Sequence, residues 1–220
     1  TLPHARGHEV IDMNAESFLK DVSTHLAEVI REDGVYRHIR FSRQNTRCMW
    51  FDLITWPGHL CYTGDMGTYV FSRVNDMFEF FRKDTASGIP ISPGYWSEKC
   101  LAVDGGRQSG SVFEYDHDKF LAVINEYLPS WLEDLDEEHH EDVREAFKDE
   151  VLDRLEDGDE HGNYRIANEF SMTVDGHELE FTDLWERCFR RFTHHFLWCC
   201  YALVWGIDQY DKLSQKEDAA

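Results

Sequence analysis

The stretch Phe51–Arg73, FDLITWPGHLCYTGDMGTYVFSR, decides how this chain is read. Three short blocks, FDLITW, HLCYTG and TYVFSR, are rich in aromatic and β-branched residues and are cut by PG and GDMG. Such residues suit a pleated, half-buried surface, and Gly-containing pairs suit tight turns, so the stretch predicts consecutive antiparallel strands. A chemical reading of the same residues competes. His59 and Cys61 stand two apart and share one face of a strand. An imidazole there activates a thiol as a nucleophile, with Asp65 orienting the ring. Pairs two apart are common in strands and no nucleophile motif surrounds this one. Sheet and turns is therefore the preferred reading, with Cys61 in the core.

Working outward, YRHIRFSR (36–43) adds a further strand to the meander. MNAESFLKDVSTHLAEVIRED (13–33) places Phe18, Val22, Leu26, Val29 and Ile30 at helical spacing after Asn14, a good N-cap, and predicts one helix. NDMFEFFRKD (75–84) predicts a short helix. Thr85–Gly110 is rich in Gly, Pro and Ser and predicts a long loop carrying Tyr95, Trp96 and Lys99. There the aromatics beside a lysine form a contact surface, or Trp96 plugs the loop onto the core; the second is preferred. Helices are expected over Asp116–Trp131 and Glu137–Glu156, the second opened by an Asp134/Glu137 capping box. A last long helix is expected from Thr182, with Leu184, Cys188, Phe192, Phe196, Cys199 and Leu203 on one side. The sum is a single α+β domain over residues 13–212, a small antiparallel meander packed against several helices including a long C-terminal one. Residues 1–12 read as an extension or expression remnant and 213–220 as a disordered tail.

FDLITWPGHLCYTGDMGTYVFSR, DMFEFF, SPGYWSEK and FLWCCYALVWGIDQYD together resemble a family of uncharacterised proteins encoded by tailed phages, prophages and related mobile elements. The resemblance runs from about Met13 to Lys212 and brings no catalytic residues. It implies a phage accessory protein in a bacterial cytoplasm.

Composition narrows the chemistry. The chain has 220 residues and a net charge of −21, so it repels nucleic acid and anionic membranes and favours basic partners. Its longest apolar run, Phe196–Ile207, is too short to span a bilayer. The six cysteines have no CxxC spacing, and no signal peptide is visible, which fits free thiols in a reducing cytosol. No cofactor motif is read. DGDEHG (157–162) resembles the start of a calcium loop, but the twelfth position is Asn168 where a bidentate Glu is needed, so no metal is assigned. The adjacent pairs His139–His140 and His194–His195 diverge around their helices and are read as core or surface histidines.

The charge is concentrated. Glu114–Glu160 holds 19 Asp and Glu against 4 Lys and Arg. On the helix expected there, Val143, Phe147, Val151 and Leu155 form a core-facing row. Opposite lie Glu138, Asp142, Glu145, Asp149, Asp153 and Glu156, with Arg144, Lys148 and Arg154 on other faces. The stripe spans about 27 Å at 1.5 Å per residue, roughly one carboxylate per 5 Å. DNA offers a phosphate per about 3.4 Å of each strand, so the row is sparser than DNA but of its order. A solvated helix face explains the stripe most simply; a DNA-like surface explains why signs are not mixed.

Three functions follow as expectations. The first is an accessory protein whose acidic surface binds a basic or nucleic-acid-binding host protein, such as a defence complex, without contacting nucleic acid itself. The second is an enzyme with a pocket of His59, Cys61, Asp65 and the Tyr95–Lys99 loop, acting on a nucleotide or protein. The third is a virion or assembly protein.

Overall fold

The protein is described by a computed structural model over residues 13–46, 48–104 and 111–218. The fold is α+β, as the sequence predicts. In place of the one domain expected over 13–212, the described residues form two compact units, each with its own apolar core. The first comprises the residues up to Phe113 and from Phe192 onward; the second is Glu114–Arg191.

The first unit is built on a six-stranded antiparallel meander: β1 (Leu26–Asp33), β2 (Tyr36–Ser42), β3 (Phe51–Trp56), β4 (His59–Gly64), β5 (Gly67–Ser72) and β6 (Cys100–Val103). Strands β1 to β5 lie in sequence order because their connections are too short for a crossover, and β6 pairs antiparallel with β5 after a longer connection over residues 73–99. Between β3 and β4, Pro57 and Gly58 make a two-residue turn in which Gly58 takes φ +80°, a left-handed backbone that a Cβ disfavours. Alternation then sorts the side chains. Ile39, Phe41, Phe51, Leu53, Leu60, Tyr62, Tyr69 and Phe71 are fully buried on one face.

That face is covered by helices: α1 (Ala15–Val22), α2 (Met77–Phe81), α3 (Pro93–Ser97) and above all α7 (His194–Asp218). Phe196, Trp198, Cys199, Cys200, Ala202, Leu203, Val204 and Ile207 of α7 are buried nearly all round the helix, as befits one enclosed on several sides. Trp198 meets Phe51 edge-on at 5.5 Å and Phe18 of α1 at 5.0 Å. Tyr69 meets Phe196 at 5.5 Å. Thr193 caps α7, its hydroxyl accepting from the Phe196 N–H at 3.2 Å.

Four expectations are corrected in this unit. The predicted helix over 13–33 stops at Val22, and Leu26–Asp33 is the edge strand β1. Asn14 does cap α1, in a capping box with Ser17, but the apolar Leu26, Val29 and Ile30 stand on an exposed edge where helical spacing has no meaning. The supposed loop after Thr85 contains α3 and the sixth strand. Its Trp96 is buried against Phe81 at 5.1 Å, as the plug reading expects, while Tyr95 stays exposed beneath Lys99. The last helix begins at His194, not Thr182; a 3-10 turn (Leu184–Glu186) and β10 (Arg190–Phe192) precede it. The tail expected to be disordered from 213 is helical through Asp218. Residues 1–12, expected to be an extension, lie outside the described residues.

The second unit holds α4 (His117–Glu133), α5 (His140–Glu150), α6 (Glu160–Glu169) and the hairpin β8 (Ser171–Val174)–β9 (His177–Glu180); β7 (Phe113–Tyr115) pairs with β10. Its core centres on Trp131, which stacks on Phe170 at 5.6 Å and meets Phe181 at 5.0 Å and Phe147 at 5.9 Å. The single helix predicted over 137–156 is broken into a 3-10 turn (Glu137–His139), α5 and a second 3-10 turn (Leu152–Arg154). The expected Asp134/Glu137 capping box does not form, because Asp134 closes α4.

Two predictions follow from the first unit. A Cβ at Gly64 would meet the Trp50 carbonyl oxygen at 2.2 Å and the Phe51 Cα at 2.8 Å, backbone atoms with nowhere to go. Gly64→Ala is expected to cost about 3 kcal/mol in urea denaturation followed by tryptophan fluorescence. Burial also pushes the Cys100 thiol up to about 11 and holds those of Cys199 and Cys200 well above their usual range. Unfolding frees them to lose protons near pH 8.5, so above that pH the unfolded chain binds fewer protons than the folded one. Stability is expected to fall as pH rises from about 9 to about 11, read as a decreasing urea midpoint, and Cys100→Ala should flatten part of that slope.

Candidate functional site

The charge of the chain sorts with its architecture. The second unit carries 25 Asp and Glu against 8 Lys and Arg, a net of −17 out of the chain's −21. Its helices explain where those carboxylates go. Val143, Phe147 and Val151 are buried, as their spacing predicts, and Leu155 is half-buried. Burying that row leaves the opposite side of α5 to water, and Asp142, Glu145 and Asp149 are exposed there. Glu138, Asp153 and Glu156 are exposed as well, but on the flanking segments rather than on one helix.

The continuous 27 Å stripe is therefore corrected. Val151 sits at φ −117° and ψ −74°, and Leu155 is extended at ψ 138°, so the helical phase is lost before Asp153 and Glu156. Nor is the row wholly unneutralised. The Lys148 ammonium donates to Asp149 at 3.2 Å and to Asp153 at 2.9 Å, and those hydrogen bonds raise the lysine's pKa. Glu138, Asp142, Glu145 and Glu156 remain as exposed carboxylates around this one bridged pair.

His59, Cys61 and Asp65 do not come together. His59 and Cys61 do share a face of β4, half-buried on the side away from the α7 core rather than in it. The His59 ring stacks on Trp56 at 5.1 Å, with Nδ1 at 3.1 Å from the Pro57 carbonyl. Asp65 lies in the turn beyond the far end of β4, about 20 Å along the strand from His59 at 3.3 Å per residue, and accepts from the Met49 N–H. The Cys61 thiol donates to the Tyr62 carbonyl at 3.7 Å, and burial, then the Asp52 carboxylate, pushes its pKa up. A nucleophilic cysteine needs the opposite shift.

Sequence reasoning missed a polar cluster nearby. Asp52, 3% exposed, receives Arg40 Nε at 2.9 Å, Arg40 Nη2 at 2.8 Å and His38 Nε2 at 2.8 Å. The register makes it, setting Arg40 directly opposite Asp52 across β2 and β3. Arg40 also covers Trp50 at 5.5 Å, beside a cleft of about 220 Å³ lined by Ser42 and Thr46. Arg37 is bound bidentately by Asp76 at 2.9 Å, and Arg43 donates to the Asp21 carbonyl. These arginines, which make the early sequence locally basic, are held by internal partners; Arg47 lies outside the described residues. The alternation of His38 and Arg40 was visible in the sequence, but their partner was not.

DGDEHG (157–162) is a helix start. Asp159 accepts from the Gly162 N–H at 2.9 Å and caps α6. Asn163, 1% exposed, pins the preceding loop by accepting from the Glu156 N–H at 2.9 Å and donating to its carbonyl at 2.8 Å. Among the described residues no group of three or more His, Cys, Asp or Glu is placed to hold a metal ion. His140 is bonded to the Leu135 carbonyl at 3.1 Å, and His194 is exposed beside a half-buried His195. No described helix is long and apolar enough to cross a membrane.

In comparisons with known proteins, no family model, no curated protein and no solved structure matches the chain.

The thiols give a direct check. With iodoacetamide at pH 8, the exposed Cys48 and Cys188 are expected to react first and Cys61 at least roughly tenfold more slowly, read by peptide mass spectrometry. Fast labelling of Cys61 would restore the nucleophile.

Proposed function

We propose that the second unit is an acidic docking module and that the protein acts by binding a basic, nucleic-acid-binding partner protein. One observation carries this reading: −17 of the net charge of −21 is gathered in a single folded unit of 78 residues. Solubility alone needs no such segregation, since mixed signs serve it equally. A concentrated negative field steers a basic partner and speeds encounter while rejecting acidic ones. The exposed Asp142, Glu145 and Asp149 of α5 give that field a rigid base.

The family resemblance in the sequence supplies a setting. Within it, the module acts in a bacterial cytoplasm as a phage or prophage accessory protein that inhibits or redirects a host nucleic-acid-binding complex, including defence complexes. The enzymatic alternative loses its support with the separation of His59 and Asp65 and the upward shift of Cys61.

Capture from nuclease-treated bacterial lysate at low and moderate salt tests the reading. The expected partner binds DNA or RNA on its own, dissociates steeply as salt rises, loses nucleic-acid binding in the presence of this chain, and is lost when Asp142, Glu145 and Asp149 become Lys. A partner that the triple variant captures as well as the native chain would remove the acidic surface from the mechanism.

A further inference from the structure

The second unit shows one aromatic side chain where water meets it most. Trp185 is 77% exposed, although its neighbour Leu184 is 2% exposed and the unit's other tryptophan, Trp131, is in the core. The turn that carries it is set by Asp183, a non-glycine residue in the left-handed region at φ 56°. Leu184 fixes the 3-10 turn to the core and leaves Trp185 outside it. Beside the indole lies an open cleft of about 460 Å³ lined by Glu160, His161, Tyr164 and Trp185. Three of those residues come from the first turns of α6, where Tyr164 follows Glu160 by four positions and His161 by three and so neighbours both.

The chemistry of these walls is specific. Two electron-rich rings and a carboxylate at one concave surface attract a cation over an aromatic face, and Trp is the best such face. Elsewhere in the molecule cations lie over Tyr36, Phe78, Tyr210, Trp50 and Tyr95. Among the described residues none of these pairs uses Trp185 or Tyr164. Burial first, then the nearby Glu160 carboxylate, raises the Tyr164 phenol, while Arg190 acts on it more weakly in the opposite sense. The cleft holds the Glu160 carboxylate, within a unit of net charge −17.

We infer that the cleft between α6 and Trp185 receives a lysine or arginine side chain of a basic partner protein, with Trp185 as the anchor of the interface. The inference rests on the acidic docking module proposed above and names the point where that module grips. Tryptophans at such positions commonly carry a large part of an interface's affinity, whereas rim carboxylates set encounter rate and salt dependence.

The test uses the full chain with its tryptophan indoles labelled for NMR, and a blocked peptide of five Arg-Gly repeats as probe. Saturable movement of the Trp185 indole N–H is expected. Trp185→Ala should weaken the peptide by roughly 5- to 30-fold, and Trp185→Phe by less, the range expected for a partly desolvated cation–π contact. Both variants should keep the native melting temperature, because the side chain is exposed. Glu160→Gln should weaken binding without moving the other indoles. If Trp185→Ala binds like the native chain while the triple variant Asp142→Lys, Glu145→Lys, Asp149→Lys does not bind, the cleft is overturned and the acidic reading stands. If Trp185→Ala weakens binding and the triple variant does not, the cleft stands and the role given to α5 falls. If neither variant matters, both fall.

Discussion

A sheet that buries one face must be given something to bury it against, and in the first unit that something is α7. Six strands in meander order put eight fully buried side chains on one side, from Ile39 on β2 to Phe71 on β5. No helix within the meander is long enough to cover them; α1, α2 and α3 have 8, 5 and 5 residues. The covering element is the helix that follows the second unit in sequence. Its packing is close. A Cβ at Gly206 would come within 2.9 Å of a Leu53 methyl and 3.2 Å of the Phe41 ring, so the absence of a side chain lets helix and sheet meet there. The core of the first unit is therefore completed by residues more than a hundred positions away from strands β1 to β5, and the second unit is an excursion of the chain between them.

That topology separates two jobs. The apolar demand of the first unit is met by aromatic contacts, and its least exposed charges are paired internally, Arg40 and His38 with Asp52 and Arg37 with Asp76. A carboxylate 3% exposed must be paired, because burying it alone is costly. The second unit solves the opposite problem. Its core is small, aromatic and centred on Trp131, and its carboxylates are engaged at helix caps, by Lys148 and Arg191, and between Glu138 and His139. Repulsion among them costs stability that the core must offset, a few tenths of a kcal/mol for each like-charged neighbour on a helix.

The legibility of the sequence follows from the range of the forces involved. Strands β2 to β5 could be read because turn chemistry and alternation are local: PG and GDMG mark the reversals, and every second residue is apolar. The α1 cap at Asn14 was readable for the same reason. The segment after Val22 was misread because an exposed edge strand carries no inward alternation, so the accidental spacing of Leu26, Val29 and Ile30 passed for a helix. Residues 182–192 were misread because Leu184, Cys188 and Phe192 happen to continue the 3.6-residue rhythm of α7 backwards. Residues 137–156 were misread as unbroken because nothing local announces the change from α5 to the 3-10 turn Leu152–Arg154.

The candidate site divides along the same line. That the acid lies between Glu114 and Glu160 is a property of composition and was plain in the sequence. Whether six carboxylates form one row depends on helical phase, and the 3-10 turn Leu152–Arg154 with the extended Leu155 after it ends it. The His59–Cys61–Asp65 idea failed in a related way. Same-face geometry for His59 and Cys61 was correct, yet a strand carries Asp65 away from His59 at about 3.3 Å per residue. Cross-strand clusters such as His38, Arg40 and Asp52 escape sequence reading because register joins them, and register is fixed by the whole sheet. Trp185 escaped for a different reason. A tryptophan in an aromatic-rich chain is assigned to the core by default, and only the left-handed turn at Asp183 beside a buried Leu184 directs it outward. In this molecule the local rules place the elements, while the exposed chemistry is decided where one residue breaks the pattern around it.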